Sequence, residues 1–89
     1  MVNYVLKFSS FAEKDKKKLK QAGLEEKARK LLKIIQENPF QNPPPYKKLR
    51  GDYQGFFSRR ITFQYRLVYA IDESKKEIHV LRMWPQNRW

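Results

Sequence analysis

The first segment of the chain alternates between apolar and polar residues. Every second residue near the N-terminus is apolar: Val2, Tyr4, Leu6 and Phe8. A period of two places these side chains on one face of a β-strand, because successive strand side chains point to opposite sides. The pattern therefore predicts a strand over Val2–Phe8 with one buried face.

The next segment changes to the helical period. Ser10 lies three residues before Glu13, which is capping-box spacing and predicts a first helix over about Phe11–Gln21 that stops at Gly23. A second helix has an apolar face with i, i+3, i+4, i+7 spacing, made of Ala28, Leu31, Leu32 and Ile35. It ends at Asn38-Pro39, because proline disfavours helical geometry in the residue before it. Together the two helices form a predicted αα-hairpin.

Residues 39–45 read Pro-Phe-Gln-Asn-Pro-Pro-Pro. Proline has no backbone N–H and a fixed φ, so this stretch is neither regular helix nor central strand. Three consecutive prolines favour a stiff, extended backbone. The segment is either a simple spacer or an ordered crossover that supports Tyr46–Arg50.

From Tyr46 onward the period returns to two. Four strands are predicted, at Tyr46–Arg50, Phe56–Thr62, Arg66–Ile71 and Glu77–Trp84. A glycine-bounded turn at 51–55 and a polar hairpin at 72–76 separate them. The order of elements predicts one α+β domain over residues 1–89, with an N-terminal strand, an αα-hairpin and a mainly antiparallel meander. The helices should pack on one face of the sheet.

The charge balance adds a functional expectation to this fold. Twenty Lys and Arg residues outnumber nine Asp and Glu residues, for a formal net charge of +11. The excess is present in both halves of the chain, with ten basic and five acidic residues in 1–40 and ten and four in 41–89. Such a surface favours polyanions, because each neutralised phosphate releases counterions. A nucleic acid or ribonucleoprotein is the favoured partner; an acidic protein, an anionic membrane surface and a simple solubility role are the alternatives.

Other compositional features narrow the class of protein. The chain has no cysteine, so disulfides and thiolate metal sites are excluded. No apolar run approaches 18 residues, and the first ten residues lack the layout of a signal peptide. A cytoplasmic protein without membrane contact is therefore expected. No grouping of histidine and carboxylates along the chain suggests a metal site, so no cofactor is predicted.

Arginines are concentrated on the predicted strands. Alternation puts Arg59 on one face of its strand and Ser58 and Arg60 on the other, while Arg66 opens the next strand and Arg82 lies near the end of the last. The planar guanidinium suits phosphate, because it donates two parallel hydrogen bonds. Solvation or pairing with acids is the alternative for each arginine alone, but few acids are available to the group.

Further residues are candidates for RNA contact. The lysine-rich first helix offers Lys14, Lys17 and Lys18, either as a solvated face or as a surface for ribosomal RNA. Arg50 and Arg82 add positive charge, and Trp84 and Trp89 are candidates for stacking on bases. The single histidine, His79, is expected to have a local partner on a sheet face; the alternative is a displaced general acid.

The segments Gly55–Thr62 and Tyr65–Ala70, reading GFFSRRIT and YRLVYA, resemble the signature of the YoeB/Txe-type toxins of the RelE superfamily. The helical hairpin ending at Asn-Pro-Phe, the proline-rich crossover and the C-terminal meander are also similar. The resemblance implies a RelE-like fold and a metal-independent endoribonuclease that cuts mRNA on the ribosome. In such toxins the ribose 2′-OH attacks the adjacent phosphate, and a cognate acidic antitoxin protein neutralises the toxin.

The resemblance also implies roles for residues. Arg66 matches the arginine that contacts the scissile phosphate, and Arg59 and Arg60 match the paired arginines of the signature. The catalytic glutamate of the family aligns with Lys47 or Lys48, so one of these lysines is the candidate general base.

The usual C-terminal His-Tyr pair is absent from Arg82–Trp89. A catalytically weakened homologue that only binds ribosome or antitoxin, and a plain basic RNA-binding module, are therefore the two alternatives to an active nuclease.

Overall fold

A computed structural model describes residues 3–85, and the side chains of residues 84 and 85 are outside the description. Eight elements follow one another along the chain: β1 (Val5–Phe8), α1 (Ser10–Gln21), α2 (Glu25–Glu37), β2 (Tyr46–Lys48), a 3-10 turn (Gly51–Tyr53), β3 (Phe57–Arg60), β4 (Tyr65–Asp72) and β5 (Glu77–Pro85). They form a five-stranded sheet in the order β1-β5-β4-β3-β2. β1 runs parallel to β5, and the other pairs are antiparallel. The predicted α+β class is confirmed.

The helices cover one face of the sheet, which is here called the helix face. Their buried residues join inward side chains of the strands in a single core; its members are Tyr4, Ala12, Leu19, Ala28, Leu31, Ile35, Ile61, Leu67, Tyr69, Ile78, Val80 and Met83. Helix α2 contributes with the predicted spacing through Ala28, Leu31 and Ile35. No helix within residues 3–85 is long and apolar enough to cross a membrane.

Element boundaries near the N-terminus differ from the sequence prediction. The first strand begins at Val5, and Tyr4 lies just before it with its N–H bonded to the Gln36 carbonyl. Ser9, not Ser10, caps α1, because the Ser9 Oγ accepts a hydrogen bond from the Ala12 N–H at 3.0 Å. Residue 2 lies outside the described part of the chain.

Beyond Val80, β5 has no pairing with β1, and side chains at and near α1 bond to its backbone instead. β1 ends opposite Val80, and the ladder between β4 and β5 is irregular just beyond that point. The Ser9 Oγ donates to the Leu81 carbonyl at 2.7 Å, and the Asp15 carboxylate accepts from the Met83 N–H at 2.9 Å. Side chains of the helix layer thus satisfy backbone groups that an edge strand would leave unpaired.

Asp15 is also the acidic partner of Arg82. Its carboxylate accepts from Arg82 Nε at 2.9 Å and from Nη2 at 3.2 Å, and the residue is almost completely buried. Asp15 lies among lysines in the sequence, so its burial was not expected. In the structure the buried residues of α1 are Ala12, Asp15 and Leu19. One carboxylate therefore links α1 to both the backbone and a side chain of β5.

Replacing Asp15 with alanine should lower the free energy of unfolding by about 2–4 kcal/mol, because a buried N–H and a partly buried arginine lose their acceptor. Glu13→Ala is the control on the same helix; its ion pair with Lys16 is exposed, so its effect should stay within about 1 kcal/mol. Urea unfolding followed by circular dichroism measures both variants. Equal stability of the two would contradict the proposed role of Asp15.

Candidate active site

The signature arginines lie on opposite faces of the sheet. In β3, Arg59 points to the helix face, whereas Ser58 and Arg60 point to the other face. In β4, Arg66 pairs directly with Arg60, and directly opposed residues of antiparallel strands share a face. The face that carries Ser58, Arg60 and Arg66 is here called the arginine face.

Arg66 is a buried cation held by Ser58. Arg66 is only 6% exposed. Its Nε donates to the Ser58 Oγ, and its Nη2 donates to the Ser58 carbonyl at 3.3 Å. No carboxylate of residues 3–85 forms an ion pair with it. Burial and the nearby charge of Arg60 lower the pKa of Arg66. A buried cation without an acidic partner favours an anionic ligand.

A basic cleft lies beside β2 and the first residue of β3. It has a volume of about 760 Å³ and is lined by Lys47, Lys48, Leu49, Arg50, Gln54, Gly55, Phe56 and Phe57. Lys47 pairs with Ser58 across β2 and β3, so its position belongs to the arginine face. Lys48 pairs with Phe57, so its position belongs to the opposite face of the sheet. Both lysines are exposed.

A phosphate or RNA contact was expected from one of the two paired signature arginines, and the burial of Arg59 leaves Arg60 as the candidate for it. Arg59 is fully buried and donates from Nε to the Tyr69 Oη at 2.8 Å, from Nη1 to the Pro44 carbonyl and from Nη2 to the Pro39 carbonyl at 2.9 Å. Its guanidinium also lies 4.8 Å from the centre of the Tyr46 ring. These bonds tie the proline-rich crossover to the sheet, so the crossover is a support and not a simple spacer.

Tyr69 shares the Arg59 network. Its hydroxyl also donates to the Pro39 carbonyl at 3.2 Å. Burial raises the pKa of Tyr69, and the hydrogen bond from Arg59 partly opposes that shift. The phenol therefore stays protonated and acts as a donor as well as an acceptor.

The remaining predicted RNA contacts are dispersed over the molecule. Exposed positions of α1, in the helical layer opposite the arginine face, carry Lys14, Lys17 and Lys18. Arg50 lines the basic cleft. Arg82 pairs with Asp15, which is the alternative that the sequence analysis gave for each arginine alone, and lies 5.1 Å from the centre of the Phe11 ring. The backbone of Trp84 pairs with that of Arg66, and Trp89 lies outside the described residues.

His79 has the local partner expected of it. Its Nε2 lies 3.0 Å from Glu77 Oε1, and its backbone pairs with Ala70, four residues along β4 from Arg66. Four strand residues span about 13 Å, which separates the imidazole from the arginine pair.

Near this end of the sheet, one ligand atom each from Asp72, Glu77 and His79 lies within 4.8 Å of the others. The sequence analysis, which found no grouping of histidine and carboxylates that suggests a metal site, did not anticipate this cluster. Hydrogen bonds account for the cluster, since Asp72 accepts from the Ser74 hydroxyl at 2.8 Å and the Lys75 N–H at 3.1 Å. These two bonds lower the pKa of Asp72.

Ser58 is a residue of the candidate site that the sequence pattern did not single out. Its hydroxyl and carbonyl are the acceptors that orient the Arg66 guanidinium. The sequence does show that Ser58 directly precedes two arginines and shares a strand face with Arg60. That Ser58 is a neighbour of Arg66 becomes clear only from the β3–β4 register.

Comparisons with known proteins place the chain in a family. A family model described as the YoeB-like toxin of bacterial type II toxin–antitoxin systems matches residues 5–84. The chain is 38% identical over 61 residues to Toxin YoeB of Synechocystis sp., a match that covers 68% of this chain and 64% of that protein. It is 36% identical over 56 residues to Toxin YoeB of Escherichia coli K12, covering 63% and 67% of the two chains.

Solved structures agree with this assignment. The YoeB/ParE toxin from Agrobacterium tumefaciens superimposes with a TM-score of 0.83 at 26% identity, covering 92% of this chain and 98% of that one. A YoeB–YefM complex from Staphylococcus aureus contains a chain with a TM-score of 0.77 at 30% identity, covering 91% and 94%. YafQ from E. coli shares the fold, with a TM-score of 0.80 at 18% identity and 96% coverage of both chains.

Replacing Arg59 with methionine should lower the free energy of unfolding by about 2–4 kcal/mol, because buried acceptors lose their donors. The neighbouring Arg60→Met is the matched control: Arg60 is exposed, so its replacement should change stability by about 0.5 kcal/mol or less. Denaturant unfolding monitored by near-UV circular dichroism compares them. A stable Arg59→Met protein would refute the structural role of the buried guanidinium.

Proposed function

Because the chain belongs to the family of YoeB-like toxins of bacterial type II toxin–antitoxin systems, we propose that it is the toxin of such a pair and cleaves mRNA on the ribosome. The observation that carries the proposal is the buried Arg66, which Ser58 orients and which has no acidic partner within residues 3–85. A phosphate would supply the missing negative charge. Arg60, directly opposite in the sheet, would share it.

The proposed reaction is a transfer within the RNA chain. The ribose 2′-oxygen forms a bond to the adjacent phosphorus, and the bond from phosphorus to the 5′-oxygen of the next nucleotide breaks. The products are a 2′,3′-cyclic phosphate and a 5′-hydroxyl end. Arg66 and Arg60 would stabilise the additional negative charge on the phosphate oxygens in the transition state, where preoriented donors have their largest effect.

Lys47 is the proposed acceptor of the 2′-hydroxyl proton. Its pairing with Ser58 puts its position on the arginine face, and it lines the basic cleft. The position of Lys48, which pairs with Phe57, belongs to the opposite face of the sheet. As the general base, Lys47 would remove that proton while the 2′-oxygen forms its bond to phosphorus. The group that protonates the 5′-oxygen is left unassigned among the described residues.

The proposed partners follow from charge and family. A net charge of +11 suits an acidic antitoxin segment, and the S. aureus relative was solved as a YoeB–YefM complex. Exposed Lys14, Lys17 and Lys18 on α1 provide a second basic surface, away from Arg66, for ribosomal RNA. A toxin that acts on ribosomes would work in the cytoplasm.

A catalytically weakened homologue is the second candidate function. The observation that favours it is the composition of the site, which presents Lys47, Arg60 and Arg66 but no carboxylate or histidine among the described residues beside them. Such a protein would retain ribosome or antitoxin binding and lack cleavage.

Arg66→Lys should reduce cleavage by about 100-fold or more, because the ammonium keeps the charge but loses the two-pronged donor geometry. Arg29→Ala, which removes an exposed arginine of α2, is the control and should cleave normally. Primer extension on an mRNA translated in a purified system measures the cuts with and without ribosomes. Equal losses in both variants would support a general basic RNA-binding module; no cuts by the unmodified protein, with ribosome binding retained, would support the weakened homologue.

Lys47→Gln should slow cleavage by about 10²–10⁴-fold, as expected for removal of a general base. Lys48→Gln loses the same charge from the neighbouring position and should slow cleavage far less. Single-turnover rates on programmed ribosomes provide the comparison. Equal losses in the two variants would reject the assignment.

A further inference from the structure

One aromatic side chain at the edge of the arginine face is almost fully exposed to solvent. Phe63, in the turn between β3 and β4, is 80% exposed, compared with 54% for Phe11 and 43% for Phe40. An isolated exposed apolar residue is common on protein surfaces and by itself indicates nothing. Its surroundings distinguish this ring.

The turn holds Phe63 in its exposed position. The Thr62 hydroxyl accepts from the N–H groups of Gln64 at 3.4 Å and Tyr65 at 3.3 Å, and the Ile61 N–H donates to the Tyr65 carbonyl at 2.8 Å. Hydroxyl-to-backbone bonds of this kind stabilise tight turns. The ring is therefore presented by a closed turn at the end of a strand pair, next to the site.

Phe63 is coupled to the proposed phosphate site through Arg60. The Arg60 guanidinium lies 5.9 Å from the centre of the Phe63 ring, and the backbone of Arg60 pairs with that of Arg66. A flat apolar surface, an exposed cation and a buried cation thus follow one another along the same edge. Nucleotides combine the matching features, since each has a base with a flat face and a phosphate.

We propose that Phe63 is a stacking platform for an unpaired base of single-stranded RNA, with Arg60 holding the backbone beside that base. The proposal rests on the proposed function and extends it by a base-binding subsite next to Arg66. Thr62 and Gln64 flank Phe63 with polar side chains, so the ring is not part of a broad apolar patch of the kind that protein interfaces use. Stacking on an aromatic ring tolerates any base, because every base has a π-face.

The test measures binding separately from cleavage. Fluorescein-labelled, 2′-O-methylated single-stranded RNA of mixed sequence cannot be cut, and an otherwise identical strand with abasic sites lacks the stacking groups. Anisotropy titrations at low salt should show that Phe63→Leu weakens binding of the complete strand roughly 5- to 100-fold, the range expected for loss of one stacked base. Phe63→Trp should preserve affinity.

Two comparisons separate stacking from charge and from general damage. Phe11→Leu is the matched control, because Phe11 is also exposed and also has an arginine beside its ring, but it lies on α1. It should bind the complete strand like the unmodified protein. Phe63→Leu should leave the salt dependence unchanged, because no phosphate contact is removed. Its affinity for the abasic strand should equal that of the unmodified protein.

Several results would overturn the subsite. These are unchanged affinity in Phe63→Leu, an equal loss for complete and abasic strands, no base-dependent binding by the unmodified protein, or a loss confined to antitoxin binding. The last result would assign Phe63 to a protein interface instead. If ribosome-dependent cleavage proceeds normally while one of these results is found, only the subsite fails. If Phe63-dependent binding is found but the unmodified protein does not cleave mRNA, the subsite stands and the nuclease function fails.

Discussion

The buried guanidinium of Arg59 constrains the site most strongly. A cation in the core is tolerated only when its N–H groups are satisfied, and here the acceptors come from Tyr69 and from the carbonyls of Pro39 and Pro44. Both ends of the proline-rich crossover are thereby bound to the sheet. β2 begins directly after this segment, so the position of Lys47 and of the basic cleft depends on contacts made on the other side of the sheet.

Two adjacent arginines therefore have opposite roles. Arg59 contributes to the fold because the helix face supplies enough carbonyl and hydroxyl acceptors. On the other face of the sheet, Arg66 donates its described hydrogen bonds to Ser58. Its charge is buried without an acidic partner among the described residues, which lowers its pKa and favours the binding of an anion. The same sheet thus holds one cation whose N–H groups are bonded on the helix face and a second, beside Arg60, for which we propose a phosphate ligand.

Much of the fold followed from local patterns. The helical face of Ala28, Leu31 and Ile35 and the period-two strands after Tyr46 report burial directly, so the α+β class and element order were predictable. Placement of Arg60 and Arg66 on a common face required the β3–β4 register in addition to alternation. Asp15, in contrast, lies between lysines in the sequence, and the donors to its carboxylate, the Arg82 guanidinium and the Met83 N–H, lie 67 and 68 residues away in the chain.

By itself the sequence determined the order of helices and strands and the excess of positive charge, because these depend on composition and on periods of two or 3.6 residues. The arginine signature was identified through its resemblance to a known family. The tertiary structure decided which arginine is buried in the core, which lysine shares a face with Arg66, and that Phe63 stands exposed beside Arg60. These outcomes depend on strand register and on hydrogen-bond acceptors supplied by distant segments. No local pattern encodes them, since the atoms involved meet only after the chain has folded.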